Sequence, residues 1–554
     1  MFTTLTHAIT AHLHSKKRAL PSRSQGKNIY RTLCALLLLS LSSATVFAEA
    51  GAPAPDRKAD EGKGPYTKLI LRGVNVVSGE GAPTQGPMDI VIENDIITRI
   101  VSVGHPGVPI LDNKRPKADK NTKEMDLTGY YVLPGFVDMH GHIGGSADEI
   151  PAEYVFKLWL AHGITTVREP GSFNGLDWVM DHVERSAKNT IVAPRIIPYL
   201  GFGMGNEGPI YTAEQARAWV QKTKQQEAKG IKFFGATPKV MEAALDEANK
   251  QGLGTMMHHA QLNVKSMNVI DSARLGLTTM EHWYGLPEAL FEQRTIQDFP
   301  VTYNYNNEQD RFAEAGKLWD QAADIGSDKW NAVRDELIAL DFTINPTLTI
   351  YQASRDLQRE RTAPWHKHYT LPTLWEFFTP SRYAHGSYWF DWGTEQEVVW
   401  AKNYQKWMRF LNDFKNHGGR VTTGSDSGYI YKIYGFGYIA ELELLREAGF
   451  NAWEVIQAAT LNGAEALGLD EQIGSVVVGK KADLVVIKEN PIANLKVLYG
   501  TGHYRLNENN EPVITGGVDY TIKDGIVYDA KALLNDVKIM VEQNKVATGK
   551  TVEP

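Results

Sequence analysis

Short apolar runs alternate with longer stretches of helical periodicity from position 132 to position 424. The runs are rich in β-branched residues, and apolar residues in most intervening stretches recur at helical spacing. Repeated strand–helix units predict a parallel sheet covered by helices, and eight units over roughly 330 residues predict a (β/α)8 barrel, an α/β fold. The eight predicted strands lie at 132–138, 164–168, 195–199, 230–234, 254–258, 277–282, 342–347 and 420–424.

Alternating apolar and polar positions, typical of strands, flank this region on both sides. Residues 89–93 and 96–101 are predicted to pair as a hairpin around Asn94 and Asp95, and residues 473–487 and 519–527 return to strand patterns. We expect the two flanks to form one smaller, discontinuous β-sandwich. The predicted order is a signal peptide (1–48), a disordered linker (49–65), the first part of the sandwich (66–131), the barrel (132–467), the second part of the sandwich (468–530), and a terminal helix and tail (531–554).

Two insertions interrupt the barrel pattern between residues 300 and 407. Residues 300–334 include an amphipathic helical pattern, and residues 351–407 are rich in Trp, Tyr and Pro. Both adjoin the seventh predicted strand. Loops on a rigid scaffold are where binding residues concentrate, so we expect either a wall of the active site or a packing or oligomer surface.

The first 48 residues have the features of a secretory signal peptide. Six basic residues and no acidic ones precede an apolar stretch from Leu33 to Val46, and Val46-Phe47-Ala48 fits a small-x-small cleavage site. We therefore predict cleavage after Ala48 and export to the periplasm or the exterior. An uncleaved anchor is the alternative, but the apolar stretch is short for a membrane span of ~20 residues.

Amino-acid composition and net charge indicate which classes of binding partner to expect. The chain is 43% hydrophobic and 22% charged, as is usual for a globular protein, and its net charge is −7. Its single cysteine, Cys34, lies in the predicted signal peptide, so the exported chain would carry no disulfide. Net negative charge without a basic patch argues against nucleic acid as a partner. We expect a small-molecule substrate and no stable membrane association after cleavage, and a homo-oligomer is compatible with the sequence.

Polar residues stand at or near the ends of five predicted strands. Residues i and i+2 of a strand face the same side, so the two histidines of His140-Gly141-His142 can aim at one point. In a (β/α)8 barrel the carboxyl ends of the strands meet at the active-site mouth. The converging residues are His140, His142, Lys232, His258, His282 and Asp426.

Four imidazoles and a carboxylate suit two divalent cations such as zinc. A lysine amine is a poor neighbour for a metal unless its charge is removed, and a carbamate on Lys232 would supply two oxygens that bridge two ions. Two ions lower the pKa of a bridging water and polarise a carbonyl group. Asp426 can bind one ion and take the proton of that water.

The chain resembles the amidohydrolase superfamily of metal-dependent hydrolases, and within it the imidazolonepropionase-like members, which include Xaa-Pro dipeptidases. The resemblance covers about residues 66–530. It rests on 133–142 (LPGFVDMHGH), 162–168 (HGITTVR), Glu281-His282, 424–426 (GSD) and 474–486. It implies that His140, His142 and Asp426 bind the more buried ion, that His258 and His282 bind the second, and that carbamylated Lys232 bridges them.

Two alternatives concern the fifth strand. His259 adjoins His258 and could be the ligand instead, although the apolar run ends at His258. Mononuclear deaminases of this superfamily usually carry an acid three residues after this histidine and lack the bridging lysine. Here the position holds Gln261 and Lys232 is present, so both features favour the binuclear form.

The expected function is hydrolysis of an amide or peptide C–N bond, in a dipeptide or an N-acyl amino acid, by a hydroxide that bridges two metal ions. The same centre would also serve a lactone, a cyclic amide or a phosphotriester. A non-catalytic binding protein built on the barrel is the alternative from another class, but binding alone does not call for a bridging lysine.

Overall fold

The computed structural model describes residues 51, 53–144, 150–381, 386–387 and 389–554. The predicted signal peptide lies outside these residues. Among the helices they form, none combines the length and the hydropathy needed to cross a membrane.

The strands and helices follow one another along the chain as the alternating pattern predicts. The strands are β1 (Lys68–Val76), β2 (Gln85–Glu93), β3 (Ile96–Ser102), β4 (Thr122–Asp126), β5 (Tyr131–Pro134), β6 (Phe136–Asp138), β7 (Ile164–Glu169), β8 (Arg195–Gly201), β9 (Gly230–Phe233), β10 (Gly254–Met257), β11 (Thr279–Glu281), β12 (Thr343–Asn345), β13 (Arg420–Val421), β14 (Leu484–Ile487), β15 (His503–Leu506), β16 (Pro512–Thr515), β17 (Val518–Lys523) and β18 (Ile526–Asp529). The α-helices are α1 (Ala152–Ala161), α2 (Leu176–Ala187), α3 (Ala213–Gln225), α4 (Pro238–Lys250), α5 (Gln261–Val264), α6 (Val269–Arg274), α7 (Leu286–Ala289), α8 (Glu308–Ala315), α9 (Asp328–Ala339), α10 (Gln352–Arg355), α11 (Leu357–Arg361), α12 (His366–Tyr369), α13 (Pro372–Phe378), α14 (Thr394–Asn416), α15 (Phe436–Ala448), α16 (Ala452–Ala459), α17 (Leu461–Ala466) and α18 (Ala530–Thr548). Short 3₁₀ helices lie at Asp112–Lys114, Leu318–Asp320, Leu348–Tyr351 and Leu495–Leu498.

Strands β6 to β13 form one sheet in chain order, and each neighbouring pair is parallel. Backbone bonds join its two edges, because the Met139 N–H donates to the Thr423 carbonyl (2.9 Å) and the Asp426 N–H to the His140 carbonyl (2.8 Å). The predicted (β/α)8 barrel is confirmed. All eight strands therefore end at one mouth.

A second eight-stranded sheet is built from both ends of the chain. Its order is β18-β17-β14-β5-β1-β2-β3, with β4 paired to β1. Leu69 and Ile90 from the first segment share an apolar core with Leu484 and Ile522 from the second. The predicted smaller, discontinuous β domain is thus present, since neither segment buries its apolar face without the other.

The apolar run 132–138 is divided between the two sheets at Gly135. Val132 and Leu133 pair with β14 in the terminal sheet, whereas β6 begins the barrel. Gly135 donates its N–H to the Asp483 carbonyl (2.7 Å), and a Cβ placed there would lie 2.1 Å from Thr165 Oγ1. The barrel thus starts at Phe136, four residues later than predicted, because a strand can pair in only one sheet at a time.

The predicted disordered linker needs correction for its described residues. The Ala54 N–H donates to His182 Nε2 (2.9 Å), and Trp178 Nε1 donates to the Gly51 carbonyl (2.6 Å). Both His182 and Trp178 belong to helix α2. Lys63 forms a bridge with Val527 of β18. Composition indicated disorder because the segment has few apolar side chains, but backbone hydrogen bonds to neighbouring elements hold it.

The aromatic insertion is mostly core. Trp400, Tyr404 and Trp407 of α14 are buried, as the packing alternative requires. Tyr351, at the start of the insertion, stacks on Trp400 with ring centroids 5.7 Å apart and planes 11° apart. On its other side the Tyr351 ring lies 5.8 Å from that of His282. The insertion therefore also backs one wall of the barrel mouth.

Candidate metal centre

The first barrel strand positions its two histidines through Asp138. This buried carboxylate accepts hydrogen bonds from the His140 N–H (3.1 Å) and from the Ser425 N–H (3.0 Å) and hydroxyl (2.7 Å). Burial raises the pKa of Asp138 to about 6. The carboxylate thus ties the end of the first strand to the end of the eighth, so His140 and Asp426 approach each other.

Asp426 faces three of the four predicted histidines. Its Oδ1 lies 3.6 Å from His140 Nε2 and 3.5 Å from His142 Nε2, and its Oδ2 lies 3.8 Å from His282 Nε2. His282 and Asp426 both have positive φ, 64° and 47°. Such backbone costs roughly 1–3 kcal/mol for residues other than glycine and concentrates at functional sites.

The opposite ring nitrogens of these histidines face protein side chains. His140 Nδ1 lies 2.6 Å from Glu281 Oε2, and His282 Nδ1 lies 2.6 Å from Thr347 Oγ1. His142 Nδ1 is 3.5 Å from Glu169 Oε1. Metal-binding histidines characteristically use one nitrogen for the ion and donate the other to an oxygen. The Nε2 atoms are thus the ones left to face a common point.

Burial also favours the neutral form of His140 and His282. It lowers the pKa of His140 and of His282 well below the usual range, and neighbouring cationic groups lower both further. A neutral imidazole has the lone pair that a metal ligand needs. These two imidazoles therefore suit a divalent cation in both geometry and protonation.

Lys232 lies within β9 and is buried, with its Nζ 3.1 Å from His140 Nε2. Burial lowers the pKa of this amine, although Asp426 and Glu281 oppose the effect. A lysine with a lowered pKa has a larger neutral fraction, and the neutral amine is the form that reacts with CO2. The setting suits the chemistry that the sequence predicts for this residue.

Within the described residues, His140, His282 and Asp426 form a group whose ligand atoms all lie within 4.8 Å of one another. This group could hold one metal ion. His142 adjoins this group, with its Nε2 3.5 Å from Asp426 Oδ1. The ring of His258 lies 4.8 Å from the ring of His282. The six predicted residues are thus all brought to the barrel mouth.

The geometry favours His258 over its neighbour as the fifth-strand ligand. His259 is fully buried, and its Nε2 lies 2.8 Å from Ser272 Oγ. Burial lowers the pKa of His259 to about 3. The ring of His258 instead faces His282 and, at 5.1 Å, Tyr284. Adjacent residues leave a strand on opposite sides, so only one of the two can face the mouth.

Sequence reasoning missed the role of Glu281. Its Oε1 accepts from Arg168 Nη2 (2.6 Å), and its Oε2 accepts from Asn345 Nδ2 (2.6 Å) while facing His140. Arg168 is fully buried and also donates to the Met139 carbonyl (2.7 Å). The sequence did carry a signal for this contact: Arg168 and Glu281 have opposite charges and both lie in apolar predicted strands. Buried charges require partners, so the two could have been paired.

A cleft of about 1060 Å³ lies elsewhere, between the aromatic insertion and α18. Its lining includes Arg359, Trp365, Lys496 and Lys538, and it contains none of the six predicted residues. The reacting centre is therefore assigned to the barrel mouth and not to this cleft.

Comparison with known proteins shows which proteins this chain is similar to. The chain is similar to an adenine deaminase of Methanoculleus marisnigri (37% identity over 102 residues, 17% of this chain and 19% of that protein). It is also similar to an imidazolonepropionase of Thermoplasma acidophilum (35% over 80 residues, 14% and 20%). The chain thus spans about a fifth of the length of these relatives.

A solved Xaa-Pro dipeptidase with bound methionine in its active site shares the fold, with a TM-score of 0.55 and 18% identity over 83% of this chain and 100% of that one. The model of the amidohydrolase family matches residues 131–315 and 403–544, which is more than half of the chain. The resemblance seen in the sequence is confirmed: the chain belongs to the amidohydrolase family.

Proposed function

We propose that the protein is a binuclear metal-dependent amidohydrolase that hydrolyses an amide or peptide C–N bond in a dipeptide or an N-acyl amino acid. The observation that carries the proposal is the arrangement around Asp426. Three imidazole Nε2 atoms lie within 3.8 Å of its carboxylate. Lys232 Nζ lies 3.1 Å from one of them.

The residues have separate tasks. His140, His142 and Asp426 would hold one ion, His258 and His282 the other, and Lys232 would bridge them as a carbamate. Divalent ions, with zinc expected, would supply an activated water and polarise the scissile carbonyl. The carboxylate of Asp426 takes the proton released by the attacking water and delivers it to the leaving nitrogen. Glu281 and Thr347 keep His140 and His282 turned so that their Nε2 atoms face the reacting centre.

Metal analysis of the purified protein tests the binuclear centre. We expect about two divalent ions per chain, as two-metal hydrolases bind. Lys232→Ala should lose most activity and one ion, and short carboxylates such as acetate or propionate should partly restore both. A single ion in the native protein, or full activity of the variant without added carboxylate, contradicts the proposal. Lys432→Ala is the matched control, because Lys432 is equally buried but lies outside the ligand set.

A substrate panel separates the reactions that such a centre can perform. Dipeptides and N-acyl amino acids should be hydrolysed in preference to lactones, cyclic amides and phosphotriesters. A preference for one of the latter groups would assign the centre to that chemistry. A metal-loaded protein that turns over no member of the panel would support the binding protein instead.

We also propose that the protein is exported and cleaved after Ala48. The basic, apolar and small-residue order of the first 48 residues supports this. Expression with its own leader, followed by cell fractionation and amino-terminal sequencing, should find a periplasmic or secreted chain that begins at Glu49. A full-length chain retained in the membrane fraction would instead indicate an uncleaved anchor.

A further inference from the structure

An exposed aromatic ring lies directly against one of the candidate metal ligands. Phe173 follows β7, and 62% of it is exposed to solvent. Its ring stacks on that of His142, with centroids 5.4 Å apart and an angle of 23° between planes. A single exposed apolar residue needs no explanation. One that stacks on a candidate ligand at the barrel mouth is placed where a substrate would contact it.

A second exposed aromatic ring lies on another side of the same centre. Phe234 follows β9, and 43% of it is exposed. Its ring centroid lies 5.2 Å from Lys232 Nζ and 5.8 Å from the ring of His258. The two rings come from loops after the second and the fourth barrel strands. They therefore offer apolar surface on two sides of the reacting centre.

Further aromatic side chains surround the candidate ligands at the barrel mouth. Tyr284 and Tyr351 are buried, and their rings lie 5.1 Å from His258 and 5.8 Å from His282. Tyr429 lies with its ring 6.3 Å from that of His142. The candidate ligands are thus surrounded by aromatic surface, and Phe173 and Phe234 are its exposed part.

We propose that the site takes substrates that carry an aromatic ring next to the scissile amide, and that this ring stacks on the free face of Phe173. The inference rests on the proposed function and specifies its substrate class. Two aromatic rings attract each other in offset-stacked or edge-to-face arrangements, beyond the gain from removing apolar surface from water. Phe234 then contacts the group on the other side of the scissile bond. Phe173 is a specificity-determining residue in this arrangement.

Matched substrate pairs test the proposal kinetically. N-benzoylglycine against N-acetylglycine, and N-acetylphenylalanine against N-acetylalanine, differ only in the aromatic group. In at least one pair the aromatic member should have a kcat/KM about tenfold higher, mainly through KM, as one additional buried aromatic contact provides. Phe173→Ala should reduce that ratio to about one, and Phe173→Leu should give an intermediate ratio.

Tyr504→Ala is the control variant, because Tyr504 is 60% exposed but lies in β15, outside the barrel. It should retain the wild-type ratio. Equal turnover of both members of each pair by the wild type, or an unchanged ratio in Phe173→Ala, overturns the inference and leaves the proposed hydrolysis standing.

A binding measurement keeps the inference testable even if no substrate is turned over. N-acetylphenylalaninamide should bind the metal-free protein more tightly than N-acetylalaninamide, as measured by ligand-observed NMR. Phe173→Ala should abolish that difference, and Tyr504→Ala should keep it. Phe173-dependent binding without hydrolysis would defeat the proposed function alone, and indifference to the aromatic ring would defeat the inference.

Discussion

His140 and His282 each use their two ring nitrogens differently. The Nδ1 atoms of His140 and His282 lie 2.6 Å from Glu281 and Thr347 oxygens, so rotation of either ring breaks a buried hydrogen bond. A buried group that loses its partner costs about 1–3 kcal/mol. The protein thus holds the inward-facing nitrogens in place before any ion binds.

Paired substitutions on the fifth strand test which histidine is a ligand. His258→Ala should lose one of two bound ions and most activity while changing thermal stability little. His259→Gln should keep both ions but lower the free energy of unfolding, because His259 packs in the core beside Ser272. Metal content and denaturation curves of the two variants provide the measurement. The reverse result would make His259 the ligand.

The pH dependence of stability supplies an independent check on His259. Burial lowers its pKa to about 3 in the folded protein, from an ordinary value of 6.5. The unfolded chain therefore binds more protons between these values, and the histidine lowers stability as pH falls from 6.5 toward 3, by about 1.4 kcal/mol per pH unit at most. The stability advantage of the wild type over His259→Gln should shrink on acidification from pH 7 to pH 4. An advantage that stays constant contradicts the buried neutral state.

Among the elements, α14 links the aromatic insertion to the centre. Trp400 is 2% exposed, its Nε1 donates to the Phe312 carbonyl (3.0 Å), and its ring stacks on Tyr351. Tyr351 in turn lies against His282. Helix α14, which directly precedes the eighth barrel strand, thus supports one wall of the mouth, so we expect a change in its packing to alter that wall.

Trp400→Ala tests this support. We expect a loss of about 3–5 kcal/mol in unfolding free energy, as for other buried Trp residues. We also expect a lower kcat/KM with unchanged metal content, since Tyr351 loses its stacking partner. Val398→Ala is the control on the same helix, because Val398 is 59% exposed and should change stability by less than about 0.5 kcal/mol. Equal effects of the two variants would show that the helix does not support the wall.

At the scale of the whole molecule, buried ion pairs join the terminal sheet to the barrel. Arg195 of β8 donates to Asp483 (2.5 Å) and to Asp524 (2.5 Å) in the terminal sheet. Burial acts to raise the pKa of Asp524, but Arg195 and Lys523 outweigh it and hold the pKa below its usual range. The backbone carbonyl of Asp483 also accepts from the N–H of Gly135, where the chain passes from one sheet to the other. The two units are therefore expected to unfold together.

Arg195→Ala should cost about 3–5 kcal/mol, because it leaves the buried carboxylate of Asp483 without its cation, although Asp524 keeps Lys481 and Lys523. Chemical denaturation should show one transition shifted to lower denaturant for both units. Arg217→Ala removes an exposed ion pair with Asp246 and should change stability by less than about 1 kcal/mol. Two separate transitions, or a small effect of Arg195→Ala, would indicate that the sheets fold independently.

Much of the centre was predictable because its residues follow strand ends. His140, Lys232, His282 and Asp426 stand at regular places in a strand–helix repeat, and the repeat alone brings strand ends to one mouth. Glu281 was not assigned a role, because its partners Arg168 and Asn345 lie 113 and 64 residues away in sequence. The start of the barrel was misplaced, since one apolar run serves two sheets.

Local sequence patterns were sufficient to predict the barrel, the discontinuous β domain and the set of polar residues at the mouth. This was possible because hydrophobic periodicity predicts each strand and helix locally, and the repeated strand–helix order predicts how the strands are arranged. Long-range packing establishes which ring nitrogen faces the centre, which of His258 and His259 turns inward, and that Phe173 lies on His142. Those outcomes depend on contacts between residues far apart in the chain, whose distances and angles no local pattern specifies.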